Sequence, residues 1–437
     1  MKNIGLGLIG FGTIGTGVVR LLQENGDLLA ERLGARLTLR RIADLDTTSP
    51  RPVSIDRSLL TTDARQVLQD PSIDIVMELM GGYEPARTFV LEAIAQKKHL
   101  VTANKALLAA YGNEIFRSAQ KSGVNIGFEA SVGGTIPIVQ TIKEALSANR
   151  IQSIMAIMNG TANFILTKMT DEGKPFSLVL EEAQRLGFAE ADPTFDIEGI
   201  DTAHKLAIVL ALAYGRRVDL DAIHVEGIAG INKQDIEFAR EFGYRIKLLA
   251  LAFEREGRVE ARIHPTMIPF DHLLANVNGN FNAFHLIGSA SGSVFLYGHR
   301  AGMMPTASAV VGDIMDISRE ILKDVSGLVP YRSLREDRMT DIDLVSFEET
   351  YTNYYFRFMA ADRAGVLSKI AGILGEHHIS IASVIQKGRR EEGPVPVVMI
   401  THKAREHDVQ AALGRIVDLD VVLEKTTVIR IEDERLK

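Results

Sequence analysis

Apolar residues follow two rhythms along this chain, and the change from one to the other divides it. Residues 4–9 form a short apolar run. Residues 13–29 follow with apolar positions at helical spacing, interrupted near Gly26. Residues 37–43, 73–79 and 99–102 are further compact apolar runs, each leading into a turn and another helical stretch. Strands that alternate with helices predict a parallel sheet covered on both faces. After about Glu129 the texture shifts to strand-like runs at 151–158, 248–253, 258–268, 283–287 and 294–297, with helical segments between them. That is an α+β pattern, and a long helical pattern at 304–322 closes it. Residues 326–343 are polar and irregular, with Pro330 near their start, and read as a linker. From about Tyr351 a compact βαββαβ alternation begins, with strands at 354–359, 379–386, 395–401 and 421–430 and helices at 365–376 and 406–416. The expected organisation is an α/β parallel-sheet domain at 1–130, to which the 304–322 helix returns, and an α+β substrate-binding and dimerisation domain at 131–322. A linker at 323–350 and a ferredoxin-like domain at 351–437 complete it.

A length of 437 residues is too great for one core, in agreement with this division. The net charge of −7 and the dispersed Lys and Arg residues argue against a nucleic-acid partner, which needs a concentrated basic face. The longest apolar run, 206–213, is too short to span a bilayer and suits a buried helix. The first residues lead straight into a strand pattern with no signal-peptide architecture, so a cytoplasmic location without membrane attachment is expected. There is no cysteine. Disulfides, thiolate metal centres and a cysteine nucleophile are therefore excluded, and any aldehyde chemistry must be direct hydride exchange with an alcohol.

Gly10, Phe11, Gly12, Thr13, Ile14 and Gly15 lie between the first strand and the first helix. Glycine is needed there for a tight turn, for close backbone approach to a pyrophosphate and for helix–strand packing; the helix N-terminus then faces the phosphates. In this strand–turn–helix context the motif reads as a Rossmann-type dinucleotide site. Asp44 ends the second strand, where an acidic residue bonds the adenosine ribose of NAD. Arg40, Arg41 and Arg51 are near enough to take the 2′-phosphate of NADP instead, so the choice between NAD and NADP stays open. Two further loops, Met80-Gly81-Gly82 and Thr102-Ala103-Asn104-Lys105, leave strands at their carboxyl ends, where ligands bind in open α/β sheets. Lys105 at a helix start is electrostatically misplaced unless an anion offsets it, which favours a functional role.

Residues 187–205, GFAEADPTFDIEGIDTAHK, hold Glu190, Asp192, Asp196, Glu198 and Asp201 and end on Lys205. The following 206–213 stretch is apolar on every side, so its helix is buried. Asp201 and Lys205, at i and i+4, share one face. On a surface such a pair would contribute only about 0.3–0.5 kcal/mol. In a cleft, Asp201 would orient Lys205 to give a proton to an alkoxide as hydride arrives. Spacing alone leaves two readings open, that cleft pair or a helix-capping aspartate with a snorkelling lysine. The acidic loop has no EF-hand spacing and no HExxH motif occurs; a carboxylate that binds a substrate amino group is the simpler reading. His204, His264, His285 and His299 show no ligand spacing and read as structural.

Taken together these segments resemble the homoserine dehydrogenase family. The resemblance runs through GLIGFGTIG, ELMGG, VTANK, EASVGGTIP at 129–137, NGTANFIL at 159–166, the 187–205 stretch and GMMPTASAVVGD at 302–313. It implies reversible NAD(P)H-dependent reduction of L-aspartate 4-semialdehyde to L-homoserine, within threonine, methionine and isoleucine biosynthesis. It implies Lys205 as the catalytic proton donor with Asp201 as its partner, Glu190 on the substrate amino group, Asp196 lining that pocket and Lys105 near both nicotinamide and substrate. Gly302 falls among the cofactor-binding positions. Glu129, Val132, Gly134 and Ile136 match the family's monovalent-cation loop, whose usual occupant is sodium; the other reading is a glycine-rich turn whose Glu129 caps a helix. Many relatives carry a basic pattern after the second strand, whereas this chain has Ala43-Asp44-Leu45-Asp46.

The C-terminal segment resembles an ACT domain, with Asp362-Arg363-Ala364-Gly365-Val366-Leu367 as its strand-to-helix turn. The resemblance implies a homodimer or homotetramer and an amino-acid effector, threonine first among the candidates; a purely structural dimerisation module is the other reading. The chain lacks the N-terminal length that a fused aspartate kinase would need. Two rival functions make different demands. A 2-hydroxy-acid or prephenate dehydrogenase would use a catalytic histidine and has no place for the Asp201–Lys205 helix. A non-catalytic amino-acid sensor would have no use for Glu190, Asp201 and Lys205 together.

Overall fold

The computed structural model describes residues 2–299, 301–386 and 393–433. It divides into two compact units, one of residues 1–152, 204–220 and 282–342, the other of residues 153–203, 221–281 and 343–437.

The first unit is built on a six-stranded parallel sheet of β1 (Lys2–Ile9), β2 (Ala35–Ala43), β3 (Leu60–Thr61), β4 (Ile75–Glu78), β5 (His99–Thr102) and β6 (Ile126–Gly127), in the order β3-β2-β1-β4-β5-β6. The order reverses between β1 and β4, and a ligand crevice opens at such a switch point. The helical pattern predicted at 13–29 is two helices, Thr13–Glu24 and Gly26–Leu33, broken where the glycine stands. The Met303–Leu322 helix packs on the first of these: a Cβ on Gly17 would sit 2.6 Å from the Met303 carbonyl oxygen, so only glycine permits the approach. Val18, Val19, Ala307, Val310 and Ile314 join Leu6 and Leu8 of β1 in one core.

Residues after this helix are packed, despite their polar composition. Tyr331 stacks on Phe116 at 5.6 Å and donates to the Val124 carbonyl, and Arg332 forms a buried ion pair with Glu336. Thr340–Asp341 then pairs in parallel with Arg216–Arg217. Polar residues that find fixed partners read, in sequence, no differently from solvated ones.

The second unit holds a long hairpin, Tyr244–Arg255 with Arg258–Pro269, in unbroken antiparallel register from Tyr244↔Pro269 to Arg255↔Arg258. Its first strand starts four residues before the predicted 248, because Lys247 interrupts the apolar run while its chain stays buried. Tyr351–Ala361, Ile381–Gln386, Pro394–Thr401 and Thr427–Ile431 form the ferredoxin-like sheet in the order fourth, first, third, second. Its helices are Val366–Glu376 and Glu406–Ile416, packed over Tyr354, Phe356 and Phe358.

This small sheet is continuous with the hairpin. The Thr427–Ile431 strand pairs antiparallel with Tyr351–Ala361 on one side and parallel with Arg258–Pro269 on the other, at Thr266↔Arg430 and Met267↔Ile431. Buried charges secure the joint. Arg430 donates to both Glu406 oxygens, at 2.8 and 2.7 Å, and to Glu226 at 2.8 Å; Arg262 is paired with Glu432. On the sheet's other face Arg357 makes a two-point contact with Asp235, which begins the Lys233–Glu241 helix and also accepts from Tyr355.

Candidate active site

The parallel register of the first unit sets Ile9, Ala43, Glu78 and Thr102 in one row at the carboxyl ends of β1, β2, β4 and β5. Gly10 follows with φ +98°, and a Cβ there would meet the Leu79 carbonyl carbon at 2.6 Å, so the turn requires glycine. Gly12 caps the Thr13–Glu24 helix without a side-chain bond, and no acidic residue lies in the first turn. The N–H groups of Thr13, Ile14 and Gly15, with the positive end of the helix dipole, are left for an anion. A cavity of about 460 Å³ opens beside them, lined by Gly10, Gly12, Asp44, Leu45, Met80 and Phe89 among others. These residues fit a dinucleotide.

The basic residues near Asp44 sort themselves. Asp44 accepts from the N–H groups of Phe11 and Asp46. Arg51 lies over the Phe11 ring at 4.5 Å and donates to the carbonyls of Phe11, Asp46 and Ser49, so it braces the glycine loop. Arg41 turns to Gln66 and Asp70, and Arg40 is exposed.

Glu78 was not singled out from the sequence, yet it organises both carboxyl-end loops. Its buried carboxylate accepts from Thr102 Oγ1 at 2.7 Å and from the N–H groups of Met80 and Gly81 at 3.0 and 3.2 Å. Burial raises its pKa, opposed by those hydrogen bonds and one from Asn104. Asn104 ties the loops together by donating to the Gly82 carbonyl at 2.7 Å, and it caps the Lys105–Ser122 helix through Leu107 N–H. Lys105, the first residue of that helix, is half-buried. Gly302 caps the Met303–Leu322 helix in an extended conformation open only to glycine, φ +139°.

The acidic stretch lies in the second unit as loop and one short helix, Thr194–Ile197, before the Ile200–Tyr214 helix starts. From Asp201 to Leu212 every position of that helix is buried. Asn159 draws two of the acidic residues together: its amide donates to Asp196 Oδ1 at 2.7 Å and to Asp201 Oδ2 at 2.9 Å. Its carbonyl caps the Gly160–Glu172 helix through Ala162 N–H, so every polar atom of the side chain is used. Thr161 Oγ1 donates to Asp196 Oδ2 at 2.9 Å. Lys205, 9 % exposed, lies one turn beyond Asp201 on the same helix. Glu190 is exposed, held near this loop by Gln184, which donates to its carbonyl. Glu78 and Asn159 had local signals: a carboxylate inside an apolar run, and an asparagine directly before a helix.

In the 129–137 loop Glu129 accepts from the N–H groups of Val139 and Gln140, both at 2.8 Å, and so caps the short helix that starts at Ile138. Its own N–H donates to the half-buried Asp313. Burial pushes the Glu129 carboxyl up to about 7 against those hydrogen bonds. Gly134 turns the chain with φ +67°, and Ile136 lends its carbonyl to Ile138 N–H. Among the described residues no group of three or more His, Cys, Asp or Glu gathers as a metal site. A cation here would rely on one carboxylate and backbone carbonyls, a donor set suited to a hard monovalent ion. Of the histidines noted in sequence, His285 bonds Ser293 and His264 sits inside the Arg262 network, while His204 is buried and His299 is exposed.

A doubly wound sheet with a glycine cradle at its switch point defines an oxidoreductase that uses a nicotinamide dinucleotide. Comparison with known proteins carries this to the family. Models of the homoserine dehydrogenase NAD-binding domain, of homoserine dehydrogenase and of the ACT domain match residues 10–129, 137–315 and 354–421. The homoserine dehydrogenases of Pseudomonas aeruginosa and Bacillus subtilis are 43% and 39% identical, each match covering 99% of both chains. A crystal structure of a homoserine dehydrogenase from Thiobacillus denitrificans superposes with a TM-score of 0.92 at 45% identity, covering 100% of this chain and 99% of the other. A hyperthermophilic archaeal homoserine dehydrogenase, solved in complex with NADPH, matches with a TM-score of 0.61 at 25% identity over 74% of this chain and 98% of its own.

The chain belongs to the homoserine dehydrogenase family. Its activity is the nicotinamide-dependent interconversion of L-aspartate 4-semialdehyde and L-homoserine, and it carries an ACT domain. Among the described residues no helix is long and apolar enough to cross a membrane.

Proposed function

We propose that Lys205 is the proton donor and acceptor of this reaction and that Asp201 positions it. The observation that carries this is the Asn159 amide, which fixes Asp196 and Asp201 together at the entrance of the helix that bears Lys205. A lysine and an aspartate on one buried helical face have little structural value, since an ion pair in the interior offsets its desolvation poorly. The bound nicotinamide supplies hydride to the aldehyde carbon, or takes it from the alcohol. In the reducing direction Lys205 gives its proton to the carbonyl oxygen as the alkoxide forms; in the oxidising direction it takes the proton back. Glu190, exposed at the acidic loop, receives the substrate ammonium with Asp196, and Lys105 is a further residue for substrate and nicotinamide.

The adenosine end favours NAD. Asp44 stands where the ribose hydroxyls would be bonded, and the nearby Arg51 already directs its donors to three backbone carbonyls. Glu129, Val132, Gly134 and Ile136 hold a sodium ion that stiffens the loop and takes no part in the chemistry; the buried Glu129 carboxyl supports this, since a bound cation offsets its desolvation. The enzyme acts in the cytoplasm as a homodimer or homotetramer, and threonine binds to the ACT domain to inhibit it. One assay tests these points: NAD(P)H consumption with L-aspartate 4-semialdehyde, with each cofactor, with and without sodium and threonine. Faster turnover with NADP would overturn the Asp44 reading, and indifference to threonine would remove it as effector.

A further inference from the structure

A second cavity, of about 370 Å³, lies in the second unit, lined by Thr170, Asp171, Ile236, Arg240, Tyr244, Arg245, Ile246 and Phe270. Its size is that of a small-molecule site. Its chemistry is mixed in a particular way. Two arginines and one carboxylate line it, yet Asp171 pairs with neither arginine, and the side chains of Asp171 and Arg240 make no hydrogen bond or ion pair among the described residues. Arg245 is held in place by the Ala275 carbonyl at 3.0 Å and by the Phe270 ring, with its centroid at 5.8 Å. Ile236 and Ile246 are buried, and Phe270 stands 41 % exposed at the rim. Separated positive and negative groups around an apolar floor match a zwitterion that carries its own carboxylate, ammonium and side chain.

We propose that this cavity binds a free α-amino acid, with its carboxylate between Arg240 and Arg245, its ammonium at Asp171 and its side chain on Ile236, Ile246 and Phe270. The cavity is wired to the ACT sheet at two points. Ile236 follows Asp235, which holds Arg357 and Tyr355 of the first ACT strand. Tyr244 donates to Asp433, just beyond the last ACT strand, and Asn353 donates to the same carboxylate. A ligand that settles against Ile236 and Tyr244 therefore acts on the residues that fix the ACT sheet to the hairpin. The residues that line this cavity all lie outside the ACT domain.

The test uses the full-length enzyme. The chain has no tryptophan, so Phe270→Trp places a single reporter at the rim. Its emission is followed while L-threonine, L-isoleucine, L-methionine or inorganic phosphate is added, and calorimetry is run on the protein without the reporter. At least one of the amino acids is expected to shift the emission. Arg240→Met and Asp171→Asn should each weaken that binding roughly tenfold or more, the scale of a lost charge-assisted hydrogen bond. Both side chains are exposed and outside the catalytic machinery, so turnover without added amino acid should stay unchanged. Three results would overturn the proposal: no amino acid binds; binding survives both substitutions; or phosphate binds as well and Asp171→Asn tightens it, the mark of a simple anion site.

Discussion

Lys205, in the second turn of its helix, and Asn159, the cap of another, are both buried polar residues, and they make different demands on experiment. If Lys205 moves the proton, Lys205→Ala should lower kcat by about 10²–10⁴-fold, the usual contribution of a positioned acid–base group. Nucleotide affinity, read by fluorescence of bound NADH, should change little. Asn159 touches two carboxylates and leaves no polar atom idle. Asn159→Ala removes the donor from buried Asp201 and half-buried Asp196, and should cost about 1–3 kcal/mol in urea unfolding, the penalty for an unsatisfied buried acceptor. It should also raise KM for L-homoserine, and an unchanged KM would detach Asp196 and Asp201 from the substrate. The sequence displayed Lys205 because its helix is apolar all round. It did not display what Asn159 does, since an asparagine that caps a helix and one that also bridges two distant aspartates look alike in a row of letters. Glu78 showed as a carboxylate inside an apolar run, but its bond to Thr102 on the neighbouring strand left no mark in the sequence.

At the scale of elements, the nucleotide-binding sheet was legible because its rules are local: a glycine spacing, a strand before it, a helix after it. The Glu406–Ile416 helix appears with the bounds its periodicity predicts. The continuity of the ACT sheet with the hairpin was not legible, because pairing between residues near 266 and 430 leaves no nearby pattern. Arg262 and Arg430 alternate with apolar residues as surface charges would; their burial depends on partners far away in the chain. The last strand pairs continuously only from Thr427, after a stretch that includes Glu424 and Lys425. The buried charges make the joint sensitive to acid. Burial alone would raise the Glu406 pKa, but hydrogen bonds and charge from Arg430 outweigh it and hold it below the usual value. A carboxylate whose folded pKa is depressed contributes stability above its unfolded pKa, near 4.5, and loses that contribution as pH falls through the folded value. The stability gap between the unaltered protein and Glu406→Gln should therefore be greatest at neutral pH and narrow below about pH 4.5. A gap that stays constant from about pH 7 to pH 3 would mean that the charge on Glu406 does not stabilise the joint.

For the whole molecule, this continuity changes what the ACT domain is expected to do when it is removed. A domain on a flexible tether can be cut away and leave an active, unregulated enzyme. Here a cut after Thr350 would remove the Thr427–Ile431 strand and uncover the Arg258–Pro269 edge around Thr266 and Met267, while His224–Val225 still covers Arg262 and Ile263. It would take Arg357 from Asp235, which is fully buried, and Glu432 from Arg262, which keeps its pairing with Glu260. Breaking a buried pair by removing one partner costs up to about 3–5 kcal/mol, a large fraction of the stability of any domain, and that cost falls on Asp235. A bare edge also invites pairing between chains. The truncated chain should therefore melt well below the full-length enzyme and elute as aggregates, with loss of turnover alongside loss of folded protein. The measurement is size-exclusion chromatography with a thermal melt, made on both chains at equal concentration. A truncated protein that stays monodisperse, melts within a few degrees of the parent and keeps its kcat would show that the joint is an optional contact. In that case any inhibition by an amino-acid effector would have to act through something other than the shared sheet, and Asp235→Asn in the full-length enzyme should then leave that inhibition intact.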